Sequence, residues 1–297
     1  MAIRRGWVCV AACAWLWVTV PTAAQQGKRV YISVDMEGIS GVVGEDQVSA
    51  GGAEYGRSRT LMAGDANAAI EGARLAGATE IVVNDSHGGQ RNLRLEDLAP
   101  GARLISHSFK RHGMMEGLDE SFDAVLFVGY HAKAGAARGL FAHTGSGVVR
   151  DLTINGRSVG EGGMNAALAA WYGVPVVMVS GDDAAVEEVS ALVPGVKGAV
   201  VKRALNSRAA ELMPLDEARA RITRAAREGV GGAARQAPVR EASYRVQLRY
   251  GNVTYPEIAT AFQEIELVGP DTVAFTRRSM PEAYRLIRVL YRFINPD

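Results

Sequence analysis

The chain has 297 residues, 48% of them hydrophobic, and carries 33 basic against 32 acidic side chains for a formal net charge of +1. That balance excludes a surface built for nucleic acid, and the length can bury one large core or two modest ones. Its two cysteines, Cys9 and Cys13, lie too early to give the body of the protein a disulfide framework, a thiolate metal site or a cysteine nucleophile.

The first 24 residues, MAIRRGWVCVAACAWLWVTVPTAA, have the three parts of a secretory signal peptide. Arg4 and Arg5 form the positive start, Trp7 to Val20 the apolar run, and Thr22-Ala23-Ala24 the small-residue cleavage site. The apolar run has 14 residues, short of the roughly 20 that a spanning helix needs. The Arg4-Arg5 pair leaves twin-arginine export open. With these two arginines removed from the 33 basic residues and no acidic residue lost from the 32, the mature chain carries one net negative charge. A periplasmic or secreted protein is expected, with no membrane association after cleavage.

Beyond residue 24, short β-branched runs alternate with longer Ala-rich segments, the pattern of β-α units around a parallel sheet. Strands are predicted at Arg29 to Val34, Glu80 to Asn84, Ala102 to Ser106, Ala124 to Gly129, Leu152 to Ile154, Val174 to Ser180 and Ala199 to Lys202. Helices are predicted at Tyr55 to Ala76, Gly162 to Tyr172, Ala184 to Leu192 and Leu215 to Glu228, with Gly77 and Gly173 where helices should stop. The stretch GGAARQAP then marks a change of character near residue 230. After it come strands at Ser243 to Tyr250, Glu264 to Val268 and Thr272 to Arg277, and a helix at Pro281 to Phe293. The expected organisation is a signal peptide (1–24), an α/β three-layer sandwich around a mostly parallel sheet (25–230), and a smaller α+β domain (231–297).

In such a sheet, ligands collect at the carboxyl ends of the strands. Three predicted strand ends carry suitable side chains: Asp35 and Glu37 in SVDMEG, His87 in NDSHGG, and His131 in GYH. Asp35 and Glu37 are two residues apart and in an extended segment point the same way. Each residue alone has a structural reading. Asp35 can cap a helix beside a solvated Glu37, His87 can sit in a surface loop, and His131 can be a satisfied core histidine. Together, carboxylate oxygen and imidazole nitrogen are the ligand set of zinc and related metals. His143 lies in the Gly-rich loop FAHTGSG, placed to cross the mouth of such a site. Glu161 opens a predicted helix, where a carboxylate is favourable for structural reasons alone. His107 and His112 read as surface or rim residues, and Asp182 and Asp183 as helix caps.

The segments SVDMEGISG, VNDSHGG, EGLDESFDAVLFVGYHA, AHTGSG, INGRSVGEGGMNA, GVPVVMVSGDD and AVVKRALNSRAA run in order from about residue 29 to 210. In this order they resemble the D-aminopeptidases of peptidase family M55. The tail resembles the family only at YGN and in the last helix. The resemblance implies two Zn2+ ions per chain, bridged by Asp35, with Glu37, His87, His131 and Glu161 completing the coordination and His143 as the catalytic histidine. Which metal each of the other four serves stays open. It also implies a small peptide substrate with an N-terminal D-amino acid, such as D-Ala-D-Ala, and a homo-oligomer, a ring-like decamer with an internal chamber. Two other readings compete. A binuclear amidase, esterase or phosphatase would use the same metals, the phosphatase needing a basic clamp for which only Lys133 and Arg138 stand nearby. A periplasmic solute-binding protein would need no such ligand set.

Overall fold

The computed structural model describes residues 1–3, 6 and 27–294, so most of the predicted signal peptide lies outside the described residues. In the first half, β1 (Lys28–Val34), α1 (Glu45–Val48), α2 (Tyr55–Leu75), β2 (Ala78–Asp85), β3 (Arg103–Ile105) and β4 (Ala124–Tyr130) follow one another. Then come β5 (Val149–Ile154), β6 (Arg157–Ser158), α3 (Glu161–Trp171), β7 (Val176–Asp182), α4 (Asp183–Leu192), β8 (Lys197–Ala204), β9 (Ala210–Leu212) and α5 (Leu215–Gly231). The chain ends with β10 (Tyr244–Tyr250), α6 (Thr254–Ala259), β11 (Glu266–Gly269), β12 (Thr272–Arg277) and α7 (Met280–Arg292). Among the described residues, no helix is long and apolar enough to cross a membrane.

A seven-stranded sheet in the order β3-β2-β1-β4-β7-β8-β9 forms the centre, parallel except for β9. β4 and β7 are buried along their whole length, as continuous apolar runs covered on both faces should be. The alternation along β1 sorts the two layers. Val30, Ile32 and Val34 pack into a cluster with Met62, Ile70, Ile222 and Val230 of α2 and α5. Tyr31, facing the other way, joins Phe127, Leu168 and the residues of the second sheet and α7. The expected three-layer α/β architecture around a mostly parallel sheet is therefore present.

The smaller antiparallel sheet has the order β11-β12-β10-β5-β6 and does not come from the C-terminal segment alone. β5, predicted within the run of α/β strands, pairs instead with β10, Leu152 opposite Leu248 and Ile154 opposite Val246. The sheet boundary thus does not coincide with residue 230, because residues 149–158 supply two strands to the second sheet. β10 alternates buried and less buried positions, the pattern of a sheet with one wet face, and β5 supplies the neighbour its backbone requires.

One backbone feature shapes the carboxyl edge of the sheet. Gly129 adopts φ +73°, and a Cβ there would lie 2.3 Å from the Asp35 carbonyl oxygen. Only glycine lets the end of β4 approach β1 this closely. The approach is closed by bonds from Asp35 N–H to the Val128 carbonyl and from Gly38 N–H to the Gly129 carbonyl, each 2.8 Å.

Candidate metal centre

β1, β2 and β4 end at the same edge of the sheet and deliver Asp35, His87 and His131. Glu37 follows Asp35 by two residues, and Glu161 opens α3 directly opposite. All five side chains are buried. The loops that carry them are held by groups with no ligand role. The Lys202 ammonium donates to the backbone carbonyls of Glu37, Ile39 and Val42 at 2.6, 3.0 and 2.6 Å, pinning the turn after β1. Burial pushes this ammonium down to about 8, against the pull of Asp182 and Asp65. Asp85 accepts from the backbone N–H groups of Asn92 and Leu93, shaping the loop after His87.

Two trios of ligand atoms, each set within 4.8 Å, share Asp35: one with Glu37 and His87, the other with His131 and Glu161. Asp35 Oδ1 lies 3.3 Å from His87 Nδ1, and its Oδ2 3.5 Å from His131 Nε2. Glu37 Oε2 is 2.9 Å from His87 Nδ1, and Glu161 Oε2 3.4 Å from His131 Nε2. One carboxylate thus offers an oxygen to each side, as a bridging ligand does.

Each imidazole is oriented through its other nitrogen. His87 Nε2–H donates to the Val48 carbonyl at 2.7 Å, His131 Nδ1–H to Ala132 at 2.9 Å and His143 Nδ1–H to Phe141 at 2.7 Å. A carbonyl can only accept, so these contacts fix the tautomers and leave the lone pairs of His87 Nδ1, His131 Nε2 and His143 Nε2 for the site. The residues present fit a pair of divalent cations in donor type, in number and in outer support.

The electrostatics carry the same message. Burial pushes the Asp35 carboxyl up to about 8, and the charge of Glu37 adds to it. Burial also opposes ionisation of Glu37 and Glu161. Even so, His87 holds Glu37 well below the usual carboxylate range, and His131 holds Glu161 low. Burial alone would lower His87 and His131, yet the facing carboxylates raise both well above the usual imidazole value. In the absence of a cation the cluster balances its buried negative charge with protons on His87, His131 and Asp35.

His143 lies in a third grouping of ligand atoms with Glu37 and His131. Its ring stacks on His131 at 4.0 Å between centroids, and its Nε2 is 3.6 Å from Glu161 Oε1. It differs from the ligand candidates in exposure, its side chain being 27% accessible against 2% for His131. Glu161 Oε1 also accepts from Gly145 N–H at 2.6 Å, tying the Gly-rich loop to the site. The site opens into a cavity of about 250 Å³.

The other residues singled out by sequence fall elsewhere. His107 is exposed, and His112 is half-buried against the Tyr284 ring. Asp182 caps α4 by accepting from Ala185 N–H, and Asp183 accepts from Ala204 N–H at the α4 start. Lys133 donates to Ser158 and Arg138 pairs with Asp183, so neither forms a phosphate clamp. Sequence reasoning missed Lys202 and Arg288. Arg288 had a readable signal: on α7 it sits four residues after Tyr284 and one after Ile287, on the apolar face of an amphipathic helix.

The comparisons with known proteins point to one family. The family model described as the D-aminopeptidase family of M55 peptidases matches residues 28–289. A D-aminopeptidase of Bacillus subtilis (strain 168) is 38% identical over 264 residues, 88% of this chain and 96% of that protein. A solved structure described as a zinc-dependent D-aminopeptidase from Bacillus subtilis, a self-compartmentalizing protease, superposes with a TM-score of 0.85 at 37% identity, covering 88% of this chain and 96% of the other.

Proposed function

The chain belongs to peptidase family M55, the D-aminopeptidases, and from that premise we propose that it is a zinc-dependent enzyme releasing N-terminal D-amino acids from short peptides such as D-Ala-D-Ala. The observation that carries this reading is the pair of ligand trios sharing Asp35. Asp35, Glu37 and His87 would hold one zinc ion, and Asp35, His131 and Glu161 the other.

Zinc held there would supply Lewis acidity for activating water and polarising the scissile carbonyl. The protein's own residues do the rest. The carbonyls of Val48 and Ala132 hold the two ligand imidazoles in the tautomer that binds metal. His143 has its Nδ1–H engaged by Phe141, so Nε2 is the atom that moves a proton or steadies the developing oxyanion.

The signal-peptide pattern of residues 1–24 supports export to the periplasm or beyond, with the mature chain starting near Gln25. The description of the related structure as self-compartmentalizing supports a homo-oligomer, for which the ring-like decamer implied by the family resemblance is the proposed form. The test is a side-by-side assay of D-Ala-D-Ala and L-Ala-L-Ala with metal analysis on the same preparation. D-dipeptide hydrolysis that is lost on chelation and restored by zinc is expected. Equal or exclusive hydrolysis of the L-dipeptide contradicts the reading.

A further inference from the structure

Arg288 occupies a position that no part of this mechanism uses. Its guanidinium lines the same cavity as Asp35, Glu37, His87 and Glu161, yet the residue is only 4% exposed. Its Nε is buried with no hydrogen-bond partner, and among the described residues none of the arginine ion pairs includes it. Glu116, an acid that like Arg288 neighbours Lys110 and His112, accepts from the His112 N–H at 2.6 Å and forms no ion pair with Arg288 among the described residues. The site's own carboxylates face the histidines.

A buried guanidinium with no carboxylate paired to it is unfavourable, and a bound anion would relieve that cost. The surroundings keep the place open for it. A Cβ at Gly113 would lie 1.6 Å from Arg288 Nη1, so a glycine there makes room for the fork, and the Phe109 ring sits 5.9 Å away as an apolar flank. Arg292, one turn on, is by contrast exposed at the rim and donates to the Gly88 carbonyl.

We propose that Arg288 recognises the C-terminal carboxylate of a dipeptide substrate, so that the site prefers the free acid over its amide. The proposal rests on the aminopeptidase reading of the centre. In a dipeptide a single residue separates the scissile carbonyl from the terminal carboxylate, so both ends fall within one small cavity. At about 250 Å³ the cavity lies below the roughly 300–1,000 Å³ typical of drug-sized ligands. The planar fork of arginine matches a carboxylate with two parallel hydrogen bonds, which a lysine or an amide cannot reproduce.

The test compares D-Ala-D-Ala with its C-terminal amide on zinc-loaded wild type, Arg288→Met and Arg288→Lys, with zinc content measured for each. Wild type should prefer the free acid by about 10- to 100-fold in kcat/KM, the range of a charge-assisted hydrogen-bonded pair. Arg288→Met should lose that preference, keeping full zinc and hydrolysing the amide within about two-fold of wild type. Arg288→Lys, which keeps the charge and the buried stem, should retain part of the preference. Wild type cleaving the amide as well as the acid overturns the proposal without touching the aminopeptidase reading. An equal loss on both substrates with full zinc also overturns it and assigns Arg288 to structure. Hydrolysis of neither compound by zinc-loaded wild type brings down the aminopeptidase reading and the proposal with it.

Discussion

The imidazole of His131 lies nearly flat against that of His143, 4.0 Å apart between centroids and tilted by 12°. The two rings nevertheless belong to different environments. His131 extends from β4 and is almost fully buried, whereas His143 hangs from a Gly-rich loop and reaches the cavity.

Their mutants should therefore separate. His131→Ala removes a proposed metal ligand and should lower zinc occupancy and activity together. His143→Ala should keep near-full zinc while kcat falls about 10²- to 10⁴-fold, the usual worth of proton-transfer assistance, with KM changing much less. Zinc per chain and steady-state kinetics on the same preparation decide. Loss of metal in proportion to activity in His143→Ala would make it a ligand.

Asp35 offers one oxygen to each trio, so Asp35→Asn should strip both metals, whereas Glu37→Gln or His87→Ala should mainly weaken the Glu37-side ion. Outer coordination and ligand changes of this kind commonly reduce affinity about 10- to 100-fold or more. Metal content after gel filtration gives the answer. Two full zinc equivalents in Asp35→Asn would contradict bridging.

Zinc binding should release protons and weaken in acid. Without metal, the carboxylates raise His87 and His131 well above the ordinary imidazole value against the effect of burial, and burial raises Asp35 to about 8. At neutral pH these groups hold protons where the metals must bind, and each proton must leave. Zinc affinity should then fall by about tenfold per pH unit for every proton displaced. Chelator competition between about pH 6 and 8, with calorimetry in buffers of different ionisation enthalpy, measures the slope and the proton count. A flat profile would show the apo site to be unprotonated.

Export should leave a mature N-terminus at or near Gln25. Intact-mass measurement on protein from the native envelope tests this. Recovery of a soluble cytoplasmic chain retaining Met1 would refute it.

Much of this molecule is written locally. Apolar runs such as the seven residues of β4 read as buried strands, and the switch to helical spacing with a stop at Gly77 reads as α2, because side-chain periodicity reports an element and the face it buries. The strand ends then name Asp35, Glu37, His87 and His131, since a parallel sheet collects its ligands at one edge. Pairing between distant segments leaves no comparable trace. β5 was legible as a strand, but its partner β10 lies about 90 residues further on, and nothing in its own pattern distinguishes that sheet from the central one. The free nitrogen of each histidine depended on carbonyls supplied by the tertiary structure, such as Val48 facing His87 across 39 residues of chain. Arg288 shows the limit most directly: its place on the apolar face of α7 was visible in the sequence, but that its Nε has no hydrogen-bond partner among the described residues is a property of everything folded against that helix.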